Sequence, residues 1–122
     1  MRDYQSRFLH RLVPAVVRLQ QETGLPASVV LAQAILESDW GRSLLARRNH
    51  NLFGIKAHPS ARTGRDGQGS AATDAVVYST TEYTGKLARR VKARFARYPS
   101  YDQCLQDYVR LLSRLRYAPA RA

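Results

Sequence analysis

Acidic residues are the scarce component of this sequence: nine Asp and Glu stand against twenty Lys and Arg, for a formal net charge of +11. Cysteine is scarcer still. Cys104 is the only one, which excludes an internal disulfide and a thiolate-based metal site. His10, His50 and His58 have no ligand spacing, so neither a metal nor any other cofactor is expected. No apolar run approaches the ~20 residues that a helical bilayer span requires. Met1-Arg-Asp-Tyr-Gln5 lacks the apolar core of a secretory signal, so export would depend on something outside this sequence.

What is present describes a folded domain. A chain of 122 residues suits one domain that buries roughly two-thirds of its unfolded surface. An apolar content of 44%, with aromatics spread along the chain, argues against disorder. The cations are nearly all arginine. Such an excess suits an anionic polymer as partner, either nucleic acid or cell wall, and charge alone does not choose between them.

Phe8, Leu12, Val16 and Leu19 recur at helical spacing and predict an amphipathic helix over 5–23, closed by Gly24. Pro26 suits the first turn of a second helix. That helix carries Val29, Val30, Leu31, Ala34, Ile35 and Leu36; apolar on nearly every side, it is expected to be buried and to end at Gly41. Ser43–Arg48 predicts a short third helix. From His58 to Thr73, three glycines and a proline among small polar residues predict a loop, either a functional lip or a tolerated insertion. Asp74–Tyr83 is β-branched and aromatic, hence strand-like, and Thr84-Gly85 is a turn. Lys86–Tyr98 fits either a helix face or a strand face, and periodicity slightly favours helix. Ser100-Tyr-Asp-Gln103 has capping-box form and opens a last helix with Tyr101, Leu105, Tyr108, Leu111, Leu112 and Leu115 on one face.

With so few acids, each can be weighed. Asp3, Glu22 and Asp66 have bland explanations, and Asp102 and Asp107 suit the start of the last helix, where negative charge favours the dipole. Asp74 reads as a strand edge and Asp39 as an exposed residue past a helix end. Glu37 differs. It ends the run Leu31-Ala-Gln-Ala-Ile-Leu-Glu37 and is followed by Ser-Asp-Trp40-Gly41. Apolar neighbours and a helix C-terminus both push a carboxyl pKa upward, which suits a proton donor. A glutamate paired with an arginine explains the position equally well. Glu82, late in the expected first strand, is a weaker candidate. Two carboxylates in a basic, aromatic-rich chain suit glycoside hydrolysis, where they flank the sugar bond.

Pro26–Gly41, Asn51-Leu-Phe-Gly-Ile-Lys56, Thr81-Glu-Tyr83, Phe95–Ser100 and Asp107-Tyr108 together resemble the glucosaminidase domains of glycoside hydrolase family seventy-three, of the type found in flagellar peptidoglycan hydrolases. The match runs in order over residues 8–118. The resemblance implies an α+β, mainly α, lysozyme-like fold: a helical lobe, a small β-hairpin lobe and a groove between them. It makes 86–97 a strand, against the periodicity. It implies Glu37 as the general acid and Glu82 as an assisting second acid, with Trp40, Asn51, Phe53 and Tyr83 lining the groove. Peptidoglycan glycan strands would be the substrate, in the periplasm or cell wall. Flagellar rod proteins are further partners of that type, and a monomer is expected.

The sequence departs from the family pattern in three places. Asp39 stands where glycine is common, and the loop between Glu37 and Glu82 is longer than usual. The family continues into a helical segment with a Gly-Tyr-Ala-Thr-Asp-Pro motif whose tyrosine assists catalysis, so residues 1–122 are expected to form a single, C-terminally truncated domain. The leading expectation is an endo-β-N-acetylglucosaminidase that cleaves β-1,4 bonds of the wall glycan. Muramidase or lytic transglycosylase action on the same polymer is the enzymatic rival, and a non-catalytic peptidoglycan-binding module is the rival of another class. Nucleic acid is not the expected partner, because the cations form no recognition motif and the Leu-Glu-Ser element would be left unexplained.

Overall fold

The structure, a computed structural model, describes residues 1–61 and 74–121, with side chains up to residue 114. Its elements run α1 (Asp3–Thr23), α2 (Ala27–Ser38), α3 (Leu44–Asn49), β1 (Ala75–Thr84), β2 (Leu87–Ala96) and α4 (Tyr101–Arg121). The helices form one lobe and the two strands an antiparallel hairpin, as the α+β expectation requires. The predicted loop at 58–73 falls mostly outside the described residues.

The stripe Phe8, Leu12, Val16 and Leu19 is buried along α1, which packs on α2 and α4. Gly24, at φ 80°, closes the helix by donating its N–H to Gln20 O. Pro14 lies inside α1 on an exposed face.

The second helix corrects an expectation. Only Val30, Ala34 and Ser38 of α2 are buried, whereas Val29 is 59% and Leu36 81% exposed. Apolar composition counts side chains without saying what covers them. Here α1 covers the one ridge at i, i+4, i+8 and leaves the flanks open.

The end of α2 is built with unusual backbone. The buried Ser38 hydroxyl donates to Ala34 O (2.6 Å) and accepts from Gly41 N (2.8 Å). Asp39, Trp40 and Gly41 then follow one another at φ 52°, 58° and 77°. A non-glycine residue in this region costs on the order of 1–3 kcal/mol and persists only where its surroundings hold it. Arg42 grips the Asp39 carboxylate at 3.0 Å, and Trp40 packs edge-on against Phe8 with ring centroids 6.3 Å apart. Gly41 has no such latitude: a Cβ there would lie 2.8 Å from Phe8 Cδ1. Gly41→Ala is therefore expected to cost about 2–4 kcal/mol, combining left-handed backbone strain with overpacking. Urea unfolding should show the midpoint falling by about 1–2 M at unchanged slope.

Ser43 caps α3 by accepting from Ala46 N at 3.1 Å, and Ser100 caps α4 by accepting from Gln103 N at 3.2 Å. Asp107 is not at the start of α4 but well inside it and partly buried, accepting from the Tyr98 hydroxyl and the Arg110 guanidinium. Burial and the Asp107 carboxylate push the Tyr98 hydroxyl pKa well above its ordinary value. Cys104 is buried beneath Leu52, whose N–H donates to Sγ at 3.4 Å, and burial pushes its thiol up to about 12.

Residues 87–96 are a strand, as the family resemblance implies and against the periodicity. The reason lies in the partner. β2 pairs with β1 over ten residues, from Ala75↔Ala96 to Thr84↔Leu87, around a turn made by Gly85 (φ 59°) and Lys86. The hairpin is held at its base. Ala96 N donates to Ile55 O, Ala57 N to Arg94 O and Tyr98 N to Asn49 O, at 2.9–3.0 Å. Its outer half is exposed apart from the partly covered Thr80, Thr81 and Val91.

Candidate active site

Glu37 is the penultimate residue of α2 and is exposed. The apolar wall expected around it is absent: Leu36 turns to solvent, and Trp40 is carried away by the three left-handed residues that follow the helix. Gln33 lies one turn earlier on the same face of α2, the i, i+4 relation. It accepts a hydrogen bond from the Tyr108 hydroxyl. Phe53 stacks on Tyr108 with centroids 4.0 Å apart and planes 14° apart. Phe53, Tyr108 and Gln33 thus form a continuous surface leading to the helix face that bears Glu37. Gln33 and Tyr108 lie in stretches that carry the resemblance, but neither was expected as a site residue, because Gln33 reads as an ordinary helix polar residue and Tyr108 as core.

Glu82 is exposed near the hairpin tip, directly across from Arg89. Strand alternation decides its direction. Val76, Tyr78, Thr80 and Glu82 share one face with Phe95, Ala93, Val91 and Arg89. Tyr78 on that face donates its hydroxyl to Asn49 Oδ1 at 2.8 Å, so the face turns toward the helical lobe. Glu82 lies four residues further out, about 13 Å along the strand. The hairpin therefore presents Glu82 on its lobe-facing side, with Tyr78 as the tie that sets its angle. Tyr78→Phe deletes that tie and leaves the buried Asn49 acceptor unpaired. It is expected to cost about 1–3 kcal/mol, which urea unfolding would read as a lowered midpoint.

Three of the expected groove residues have other surroundings in the structure. Asn51 is 1% exposed: its Nδ2 donates to Ile55 O and Ala96 O, both at 2.9 Å, and its Oδ1 accepts from Ile55 N at 3.0 Å. Its side chain is spent on backbone groups, and it fastens the hairpin base. Trp40 packs on Phe8 and lines a cavity on which neither Glu37 nor Glu82 opens. Tyr83 is 75% exposed but sits on the opposite strand face from Glu82. Phe53 remains compatible with the expected placement. Among the described residues, no three His, Cys, Asp or Glu side chains converge as a metal site requires, and no helix is long and apolar enough to cross a membrane.

A helical lobe with a glutamate at an open helix end, and a two-stranded hairpin carrying a second glutamate on its lobe-facing side, is a lysozyme-like arrangement. Solved structures agree. The catalytic domain of the autolysin Auto from Listeria monocytogenes superposes with a TM-score of 0.71 at 33% identity, over 88% of this chain and 55% of that one. A C-terminally truncated glycoside hydrolase domain of Salmonella typhimurium FlgJ superposes with a TM-score of 0.66 at 37% identity, over 93% and 72%. In sequence, the peptidoglycan hydrolase FlgJ of Escherichia coli K12 is 40% identical over 111 residues, 88% of this chain and 32% of the relative. The chain thus spans about a third of the length of such curated relatives. Residues 13–122 match the glucosaminidase family model, described as mannosyl-glycoprotein endo-beta-N-acetylglucosaminidase. The chain belongs to the glucosaminidase family.

Proposed function

We propose that this chain is a peptidoglycan hydrolase, an endo-β-N-acetylglucosaminidase that cleaves β-1,4 bonds of the wall glycan in the periplasm or cell wall. The observation that carries the reading is the pairing, within a glucosaminidase-family chain, of an exposed Glu37 at the end of α2 with a Glu82 on the lobe-facing side of the hairpin. Glu37 protonates the glycosidic oxygen, and the glycan laid over the open helix end supplies the water exclusion that the empty site lacks. Glu82 positions water or stabilises the oxocarbenium-like transition state, unless the substrate's own N-acetyl group acts as nucleophile. A carboxyl separation of ~5 Å suits direct attack, and ~6.5–9.5 Å leaves room for water. The arginine excess holds the anionic polymer, so binding weakens as salt rises.

Purified peptidoglycan incubated with the chain should release soluble fragments whose masses carry N-acetylglucosamine at the new reducing end. A muramidase leaves the other sugar there and a lytic transglycosylase leaves an anhydro ring, so either mass overturns the bond assignment. Pelleting with peptidoglycan without release of soluble sugar would instead identify a binding module. A monomeric state and a contact with flagellar rod proteins belong to the same proposal, the first checked by analytical ultracentrifugation and the second by co-purification with rod components.

A further inference from the structure

A cavity of about 750 Å³ lies between the first half of α1, the segment 40–47 and the start of α4. Neither Glu37 nor Glu82 lines it. Phe8, Trp40 and Tyr101 give it aromatic walls, and Arg7, Arg11, Arg42 and Arg47, with His10, supply positive charge. Two of the guanidiniums lie over rings. Arg42 sits 3.9 Å from the Tyr4 ring centroid and Arg11 4.4 Å from that of Tyr101. Contact of this kind pre-organises a guanidinium while leaving its in-plane N–H donors available. Arg42 also binds Asp39. Arg7 and Arg47, both exposed, have no acidic partner among the described residues. The cavity is therefore an aromatic-lined concentration of positive charge with no carboxylate among its lining residues.

We propose that this cavity is a second, non-hydrolytic binding site that takes carboxylate groups of the wall polymer. The ligand class follows from complementarity: planar guanidiniums match carboxylates two N–H donors at a time, and the wall polymer carries carboxylates on its peptide branches. The proposal rests on peptidoglycan being the substrate. Its role follows from its position. Asp39, Trp40 and Gly41 reverse the chain straight after Glu37, so one short segment connects the cavity to the cleavage site. A polymer held at the cavity presents its neighbouring glycan to Glu37 at raised effective concentration, an advantage that short soluble fragments do not share.

The test separates binding from cleavage by working throughout in a Glu37→Gln background. Pelleting isotherms are measured on purified sacculi, either untreated or with their carboxyls amidated by carbodiimide and ethanolamine. Arg7→Gln/Arg47→Gln is compared with its parent and with a charge-matched control, Arg48→Gln/Arg114→Gln; thermal melts confirm that all are folded. The cavity variant should bind untreated sacculi about tenfold more weakly than the parent and bind amidated sacculi equally well, while the control loses less than about twofold. The proposal is overturned if the cavity variant binds untreated sacculi like its parent. It also falls if the loss persists on amidated sacculi, or if the control loses as much. Should the unsubstituted chain release no soluble sugar, the proposed hydrolysis fails while this binding result stands on its own.

Discussion

Glu37→Gln is expected to lower the release of soluble fragments from peptidoglycan by about 10²–10⁴-fold, the contribution a positioned general acid makes. Glutamine matches glutamate in shape and keeps a carbonyl oxygen, so a substrate contact made by that oxygen survives; what is lost is the proton. Glu37 is exposed, and exposed substitutions away from caps and cores change stability by about 0.5 kcal/mol or less. An unchanged melting temperature together with lost activity therefore assigns the loss to chemistry. Pelleting with sacculi should be unchanged, which separates lost catalysis from lost binding. Glu82→Gln supplies the comparison. If Glu82 activates water, its loss should approach that at Glu37. If the substrate's N-acetyl group supplies the nucleophile, the loss should be smaller, about tenfold, because glutamine still presents a dipole to the developing positive charge. Full activity in Glu37→Gln would remove the residue from the mechanism.

The helical lobe was legible wherever pattern and packing agree. Phe8, Leu12, Val16 and Leu19 predicted a buried stripe because they recur at helical spacing on the one face of α1 that its partners cover. The cap at Ser100 was legible because its hydrogen bond is local. What failed was each inference that needed to know a distant neighbour. Val29 and Leu36 read as core because apolar residues crowd α2, yet nothing among the described residues covers them. Residues 87–96 read slightly as helix because Leu87, Val91, Phe95 and Tyr98 recur at that spacing, and only a ten-residue ladder with β1 decides for strand.

The candidate site divides in the same way. Glu37 was found for a reason the structure does not support, since the apolar wall is missing, and Glu82 was placed by resemblance before its strand face was known. The aromatic and arginine cavity was invisible because its residues come from three parts of the chain. Only Tyr4, Arg7 and Arg11, at helical spacing on α1, hint at it. Asn51 read as a groove residue for a related reason: it sits in a motif of the family, and nothing local reveals that its amide bonds backbone groups at positions 55 and 96.

That position carries the second large effect. Asn51→Ala removes two donors and an acceptor at a site that is 1% exposed. It leaves the carbonyl of Ala96 and the N–H of Ile55 without that partner, while the carbonyl of Ile55 keeps the Ala96 N–H. At about 1–3 kcal/mol for each buried group left unpaired, offset in part by entering water, the expected cost is about 3–5 kcal/mol. That is a large share of the ~5–15 kcal/mol typical of a whole domain. Asn51→Asp separates hydrogen bonding from packing, because it keeps the shape and exchanges only the NH₂ for an oxygen. That oxygen faces two carbonyls, and the new carboxyl must ionise while buried. Its pKa in the folded state is therefore raised above its unfolded value, so the charge penalty is fully present near neutrality and fades as pH falls toward the unfolded carboxyl range. The stability gap between Asn51→Asp and the parent should thus narrow on acidification from pH 7 to about pH 4, whereas the gap for Asn51→Ala should stay constant; urea titrations at a series of pH values measure both. A pH-independent gap for Asn51→Asp would mean that water reaches position 51. The hairpin base would then not be the closed junction that fixes the angle of β1, the strand that carries Glu82.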